Sequence, residues 1–324
     1  MTNLTRRQLL GAAAAATAAA PAFAQGVTGA PILKGKAILI TGTSSGFGNL
    51  AALHFARSGA KVFATMRGLP RAEAAALQQT ARAEKLDLTV LPLDVTKPDE
   101  ITRAVAEAER QAGRGLDVIV NNAGIGISGP VELQDEAAMA LMFDTNVHGP
   151  HRVARAALPG MRRNKGGLII NVSSQLGRVI APNLGAYSAT KFALEALSEQ
   201  MAYELAPRGI EVSIVQPGGY PTAIWASGAK RTEALLARTP QHRKDGYPEL
   251  MRGAVRTGGG STDPMDVPRA MAELIAMSPG TRPLRRPVHP GARPQEAINR
   301  VSAEVQRAML GRGPFAPWAE AVLD

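Results

Sequence analysis

The apolar run Ala37-Ile38-Leu39-Ile40 leads into Thr41-Gly42-Thr43-Ser44-Ser45-Gly46-Phe47-Gly48, and Asn49-Leu50-Ala51-Ala52-Leu53-His54-Phe55-Ala56 follows at once. A short, continuous apolar run that stops at a glycine turn reads as a strand buried on both faces. The segment after it has apolar residues at Leu50, Leu53 and Ala56 and ends on Arg57-Ser58-Gly59, which reads as a helix with its stop. Strand, glycine turn and helix in this order begin an open α/β sheet that binds a dinucleotide. Glycines let the backbone approach a pyrophosphate, and the helix start offers unpaired N–H groups and the positive end of the dipole. The spacing is Gly-x-x-x-Gly-x-Gly rather than Gly-x-Gly-x-x-Gly.

The rest of the chain repeats the alternation. Strands are read at about 37–41, 61–65, 88–93, 117–121, 167–172 and 211–216, each rich in Val, Ile or Leu, with a shorter one near 285–288. Helices are read near 46–58, 71–85, 98–112, 134–163 and 185–206. This alternation predicts one doubly wound, Rossmann-like α/β sheet of about seven strands with helices on both faces. Residues 219–265, rich in Gly, Pro, Arg and Thr, read as a lid over a substrate site. Residues 291–324 form a C-terminal extension, either an interface arm or a loosely held tail.

Tyr187-Ser188-Ala189-Thr190-Lys191 supplies a second kind of signal. On a helix, i and i+4 share a face, so the Lys191 ammonium can lie beside the Tyr187 phenol. A phenol with a pKa of about 10 is a poor acid or base at neutral pH; bringing it to about 7 takes roughly 4 kcal/mol. A neighbouring cation in a partly dry cleft is a source of that energy. The pair Ser173-Ser174 lies just upstream.

Taken in order, Thr41-Gly-x-x-x-Gly-x-Gly48, Asp94, Asn121-Asn122-Ala123-Gly124, Asn146, Ser174, Tyr187, Lys191, Pro217-Gly218 and Thr222 resemble the short-chain dehydrogenases/reductases over about residues 34 to 290. Thirteen residues separate Ser174 from Tyr187 and forty-one separate Asn146 from Tyr187, which fits that family. The resemblance implies a parallel sheet ordered 3-2-1-4-5-6-7, with cofactor and substrate meeting at the carboxyl ends of the strands. It implies Tyr187 as general acid/base, with Lys191 lowering its pKa and holding the nicotinamide ribose. Ser174 would donate to the substrate oxygen, and Asn146 would bind a water that completes a proton relay to Lys191. Ser173 is the near neighbour, but the spacing selects Ser174.

For the cofactor, Gly42, Ser44, Ser45, Gly46, Phe47 and Gly48 form the phosphate turn. Asp94, followed by Val95, would bind the adenine amino group and also cap the helix that starts near Pro98. Asn122 belongs to a motif that mainly braces the sheet beside the cofactor, while Pro217, Gly218 and Thr222 would face the nicotinamide carboxamide. Pro221 directly before Thr222 departs from the usual pattern and restricts the backbone there. Ala64-Thr65-Met66-Arg67 stands where an NAD-preferring relative carries an aspartate for the ribose hydroxyls. With no acid there and Arg67 able to pair with a 2′-phosphate, the expectation is NADP(H), with NAD(H) the second choice. Met66-Arg67 and Pro217-Gly218-Gly219 look most like the hydroxysteroid and retinol dehydrogenase branch, which implies a hydrophobic alcohol or ketone substrate. A sugar or polyol dehydrogenase is the alternative enzyme, and a nicotinamide-sensing protein without turnover is the alternative outside enzymes. Long helices bearing Asn146 and Tyr187 join many family members into dimers or tetramers, so a homo-oligomer is expected.

Composition narrows the remaining classes. The formal net charge is +10, but the arginines are scattered and aromatics are 4% of residues, so no stacking platform for nucleic acid is expected. Basic charge attracts an anionic cofactor. There are no cysteines, which excludes disulfides and thiolate chemistry. The five histidines show no ligand spacing with acids, so no metal is expected. No stretch reads as a membrane span in the mature chain.

Thr5-Arg6-Arg7-Gln8-Leu9-Leu10, an alanine-rich stretch and Ala22-Phe23-Ala24 look like a bacterial twin-arginine (Tat) signal peptide over residues 1–24, followed by a linker at 25–33. The export machinery would then be a partner and the periplasm the destination, with the cytoplasm the alternative if the signal is unused. Replacing Arg6 and Arg7 together by lysine is expected to strand the protein in the cytoplasm. Cell fractionation checks this, and an unchanged periplasmic yield would refute the signal.

Overall fold

The computed structural model describes residues 32–255 and 258–323; the signal expected over 1–24, and the linker as far as residue 31, lie outside them. Leu33, at the end of that linker, is 1% exposed and its N–H donates to the Ser58 carbonyl, so it packs with the sheet and α1. The strands are β1 (Ala37–Thr41), β2 (Lys61–Met66), β3 (Leu88–Pro92), β4 (Val118–Asn121), β5 (Gly167–Val172), β6 (Ile210–Pro217) and β7 (Arg285–Val288). They form one sheet in the order β3-β2-β1-β4-β5-β6-β7. Every pairing is parallel. The ends differ from the sequence reading by one or two residues, as element ends commonly do.

The period of two along β1 explains the layering. Ile38 and Ile40 enter the core under α1 (Gly46–Arg57), α2 (Ala72–Ala83) and α10 (Asp266–Ala276), whereas Ala37 and Leu39 enter the core under α3 (Pro98–Ala112) and α5 (Gly149–Arg163). Both faces are therefore apolar, which is why the central strands read as unbroken hydrophobic runs. At 25 cal/mol per Å², each fully buried Ile or Leu contributes about 1.5–3 kcal/mol.

The single helix expected over 134–163 is two helices. Asp135 caps α4 (Glu136–Phe143), its carboxylate accepting from the Ala138 N–H at 2.8 Å. A π-helical turn over Asp144–His148 then joins α4 to α5. Pro150 at the start of α5 has no N–H to give back to the preceding turn, and Gly149 lies so close to Val95 that a Cβ would sit 2.9 Å from it. The wide turn carries Asn146, consistent with the placing of such turns at functional sites.

The long helix α6 (Gly185–Leu205) bears Tyr187 and Lys191. Beyond β6, residues 219–265 hold α7 (Ile224–Arg238) and the short α8 (Gln241–Lys244) and α9 (Pro248–Met251), so the expected lid is largely helical. The C-terminal extension is also helical: α11 (Gln295–Leu310) and α12 (Ala316–Val322), with Ala319 and Leu323 in the core. It is held more firmly than a tail. Among the described residues no helix is long and apolar enough to cross a membrane.

One buried ion group joins the last strand to α6. Arg285 on β7 donates to Glu195 at 2.9 Å and to Glu199 at 2.5 Å, all three side chains being nearly inaccessible. Removing the guanidinium leaves two buried carboxylates without their ion-pair partner, holding only the Gln216 amide on Glu195 and the Tyr203 hydroxyl on Glu199, at a cost of about 3–5 kcal/mol. Arg285→Met is expected to lower stability to urea by that amount. Adding Glu195→Gln and Glu199→Gln should recover part of it; an unchanged midpoint for the single variant would refute the ledger.

Candidate active site

The glycine turn is built around close approaches. Gly42 has φ +71°, and a Cβ on it would lie 2.8 Å from the Ala123 Cα. A Cβ on Gly48 would lie 2.4 Å from Asn122 Nδ2 and 2.5 Å from the Gly42 carbonyl oxygen. The reason is a brace between β1 and the end of β4. Asn122 Nδ2 donates to the carbonyls of Thr41 (2.9 Å) and Gly42 (3.1 Å), and Thr41 Oγ1 accepts from the N–H groups of Asn122 and Ala123, both at 3.0 Å. Thr41 was not singled out in the sequence beyond opening the motif, although its hydroxyl anchors the turn. Helix α1 starts at Ser45 with no side-chain cap and no acid in its first turn. Its first N–H groups thus lack a side-chain acceptor beside a wall free of Cβ atoms, an arrangement that suits a pyrophosphate.

A cavity of about 1480 Å³ opens over this turn and extends to the lid. That is larger than the usual pocket for one small ligand, about 300–1,000 Å³, and leaves room for a dinucleotide and a substrate together. All candidate residues of the sequence line it except Gly48, which stands behind Gly42, and Asn146. Asp94 Oδ1 accepts from the Thr96 N–H and hydroxyl, at 2.9 and 2.8 Å, so its capping role is realised. Arg67, just past β2, is exposed on the rim. Met66 is 1% exposed and packs in the core, so of the Met66-Arg67 pair only the arginine is a surface group. On the far side, a Cβ at Gly218 would lie 2.7 Å from the His289 ring, and Thr222 approaches Gly46.

Ser174, Tyr187 and Lys191 converge on this cavity from two elements. Ser174 follows β5 and caps a short turn, its Oγ accepting from the Leu176 N–H at 3.1 Å, which leaves its own proton to be donated on the cavity side, where the Tyr187 phenol lies. Ser173 turns the other way, toward Gly177. Lys191 is 5% exposed, donates to the Val172 carbonyl at 2.9 Å, and lies 5.7 Å from the centre of the Tyr187 ring. Burial pushes the Tyr187 phenol up to about 12, with the Ser174 hydroxyl pulling against that rise. Burial brings Lys191 down to about 8, opposed by the nearby Glu195 carboxylate. The sequence reading expected the ammonium to lower the phenol; the influences acting on it here are burial, which raises it, and the Ser174 hydroxyl, which lowers it.

Asn146 is 1% exposed and its amide is committed to backbone and helix. Oδ1 accepts from the Ile125 N–H, while Nδ2 donates to the Ile125 carbonyl and to Thr190 Oγ1, at 2.9, 2.9 and 3.0 Å. Thr190 in turn donates to the Tyr187 carbonyl at 2.7 Å. The side chain thus ties the β4 loop to the start of α6, using both amide protons. Thr190 was not foreseen; it lay unremarked inside the Tyr-to-Lys segment.

A parallel sheet with a glycine turn at its switch point, and a serine, tyrosine and lysine on the opposite wall of the same cavity, define an oxidoreductase of the nicotinamide-dependent class. The family model "short chain dehydrogenase" matches residues 36–233. Retinol dehydrogenase 8 of Homo sapiens is 34% identical over 264 residues, covering 78% of this chain and 80% of that protein. A short-chain dehydrogenase/reductase of Burkholderia phymatum solved in complex with NAD is 25% identical, with a TM-score of 0.68 over 87% of this chain and 97% of its own. A metagenomic short-chain oxidoreductase solved with NADP is also 25% identical, with a TM-score of 0.63 over 80% of this chain and 99% of its own. The chain belongs to the short-chain dehydrogenase/reductase family, oxidoreductases that act on CH–OH donors with NAD or NADP.

The tight packing behind the turn gives a direct check. Gly48→Ala must displace Asn122 or the Gly42 carbonyl, so dinucleotide affinity is expected to fall at least about tenfold while the circular dichroism spectrum is kept. Titration of NADPH fluorescence measures it, and wild-type affinity in this variant would show that the turn does not depend on that approach.

Proposed function

We propose that the protein is an NADP(H)-dependent oxidoreductase that interconverts a carbonyl and a secondary alcohol on a hydrophobic substrate. The observation that carries this reading is the grouping of Ser174, Tyr187 and Lys191 on a cavity that also reaches Arg67, which has no ion-pair partner among the described residues. Arg67 supports NADP(H) because a guanidinium fork matches a phosphate in a way no acid could. Leu184, Ile224, Leu250 and Val255 along the lid side support an apolar substrate over a sugar or polyol, as does the likeness to a retinol dehydrogenase.

The nicotinamide, when bound, supplies or accepts the hydride. The protein handles the oxygen and its proton. Ser174, whose oxygen is already occupied as an acceptor, donates its hydrogen to the substrate oxygen where negative charge grows. Tyr187 delivers its proton to that oxygen during reduction. Lys191, held by the Val172 carbonyl, places an ammonium beside the phenolate that remains. In this reading the Asn146 side chain positions Ile125 and Thr190 through both its amide protons, and the water of the relay is held by an acceptor of the same residue.

Leu141 on α4 and Phe192 on α6 are 42% and 39% exposed, which supports a homo-oligomer formed across these helices. The twin-arginine leader supports export in the folded state, with the cofactor taken up in the cytoplasm before transit.

Tyr187→Phe is expected to reduce turnover of hydrophobic ketones by about 10²–10⁴-fold with NADPH affinity nearly unchanged. In the wild type, reduction should decline as pH rises through about 8, where Lys191 loses its charge. Steady-state rates across pH test both; full activity of the phenylalanine variant would refute the proton assignment.

A further inference from the structure

Three arginines stand on the rim of the cavity, and they are not equivalent. Arg71 is neutralised by Glu73 through two bonds of 2.9 and 2.8 Å, and one of its nitrogens braces the Arg67 carbonyl at 3.4 Å. Arg67 and Arg231 have no carboxylate within ion-pair distance among the described residues, although both line the cavity. Arg231 lies on the covering helix α7, where Nη1 donates to the Ser227 carbonyl at 2.8 Å. It is half-buried, and burial together with the nearby charge of Arg67 lowers its pKa.

Two cations lining one cavity and near enough to repel, one of them partly desolvated, are costly unless an anion joins them. The position selects which anion. Arg67 follows β2, on the far side of β1 from the β4 and β5 ends that carry the catalytic wall. An anion that meets both guanidiniums therefore sits at the ribose end of the cleft, away from the group that reacts. Helix α7 is already fastened at its other edge: Thr232 Oγ1 accepts from the Ser128 N–H at 2.9 Å, and Gly228 packs on the Gly126 carbonyl.

We propose that Arg231 is the second arm of a clamp, opposite Arg67, on the 2′-phosphate of the dinucleotide, and that this contact fastens the lid helix over the loaded cleft. The inference rests on the NADP(H) reading and adds to it a residue from outside the β2 turn. It makes the lid a reader of the phosphate: NADPH holds α7 down, and NADH, with no phosphate, leaves that edge unfastened.

The experiment compares wild type, Arg67→Ala, Arg231→Ala and Arg231→Lys by fluorescence titration with NADPH and NADH. Hydrogen exchange of the peptide spanning α7 is followed in parallel. Losing one charge-assisted fork is expected to raise the NADPH Kd about 10- to 100-fold for each alanine variant, with the NADH Kd within about twofold of wild type. Arg231→Lys should recover part of the affinity, because the charge remains while the fork is lost. Exchange protection of α7 should be greater with NADPH than with NADH, and the difference should vanish in Arg231→Ala. If Arg67→Ala weakens NADPH and Arg231→Ala does not, the clamp is wrong and the cofactor reading stands. Equal weakening of both cofactors by Arg231→Ala also overturns the clamp, since it reports general loosening of the lid. If wild type binds both cofactors alike and neither arginine matters, the cofactor reading falls as well.

Discussion

Asn122 holds together the part of the molecule on which everything else depends. Its amide lies where a side chain on Gly48 would have to be, and donates to two successive carbonyls at the end of β1. The two strands at the switch point of the sheet are joined there, and the turn between β1 and α1 is pressed flat enough to leave α1's first N–H groups accessible. Thr41 completes the brace from the other chain direction, its hydroxyl accepting two N–H groups of the β4 loop. The open face of the turn, the position of the Ala123–Gly126 loop and hence the floor of the cavity follow from this one junction.

The catalytic wall rests on a second set of polar ties. Asn146 grips Ile125 at one end and Thr190 at the other, so the loop after β4 and the first turn of α6 move as one body. Lys191 is fixed through Val172 and Ser174 through its own turn. The result is a phenol whose proton is firmly held and an ammonium kept near its titration point, both through desolvation.

Much of this could be read from the chain. Buried parallel strands have no solvent face, so their hydrophobic runs were plain, and the glycine turn and Tyr187-to-Lys191 spacing are local patterns. The interruption at Asp144–His148 was less visible, because α4 and α5 share a helical pattern and the break is set by the contact of Gly149 with Val95, distant in sequence. The choice between an interface arm and a loose tail for residues 291–324 stayed open for a similar reason: the anchors Ala319 and Leu323 carry no signal until the underside of α6 is known. Thr41 and Thr190 act through partners 81 and 44 residues away, and Arg231 acts across a cavity; no short motif encodes such pairings.

The triad of Arg285, Glu195 and Glu199 joins residues about ninety positions apart. While the polypeptide is still being synthesised, the two carboxylates on α6 have emerged and their cation has not. The catalytic helix therefore gains this buried counter-ion only after β7 has left the ribosome and docked beside β6. A product that stops short of the last strand lacks the guanidinium that both carboxylates of α6 share.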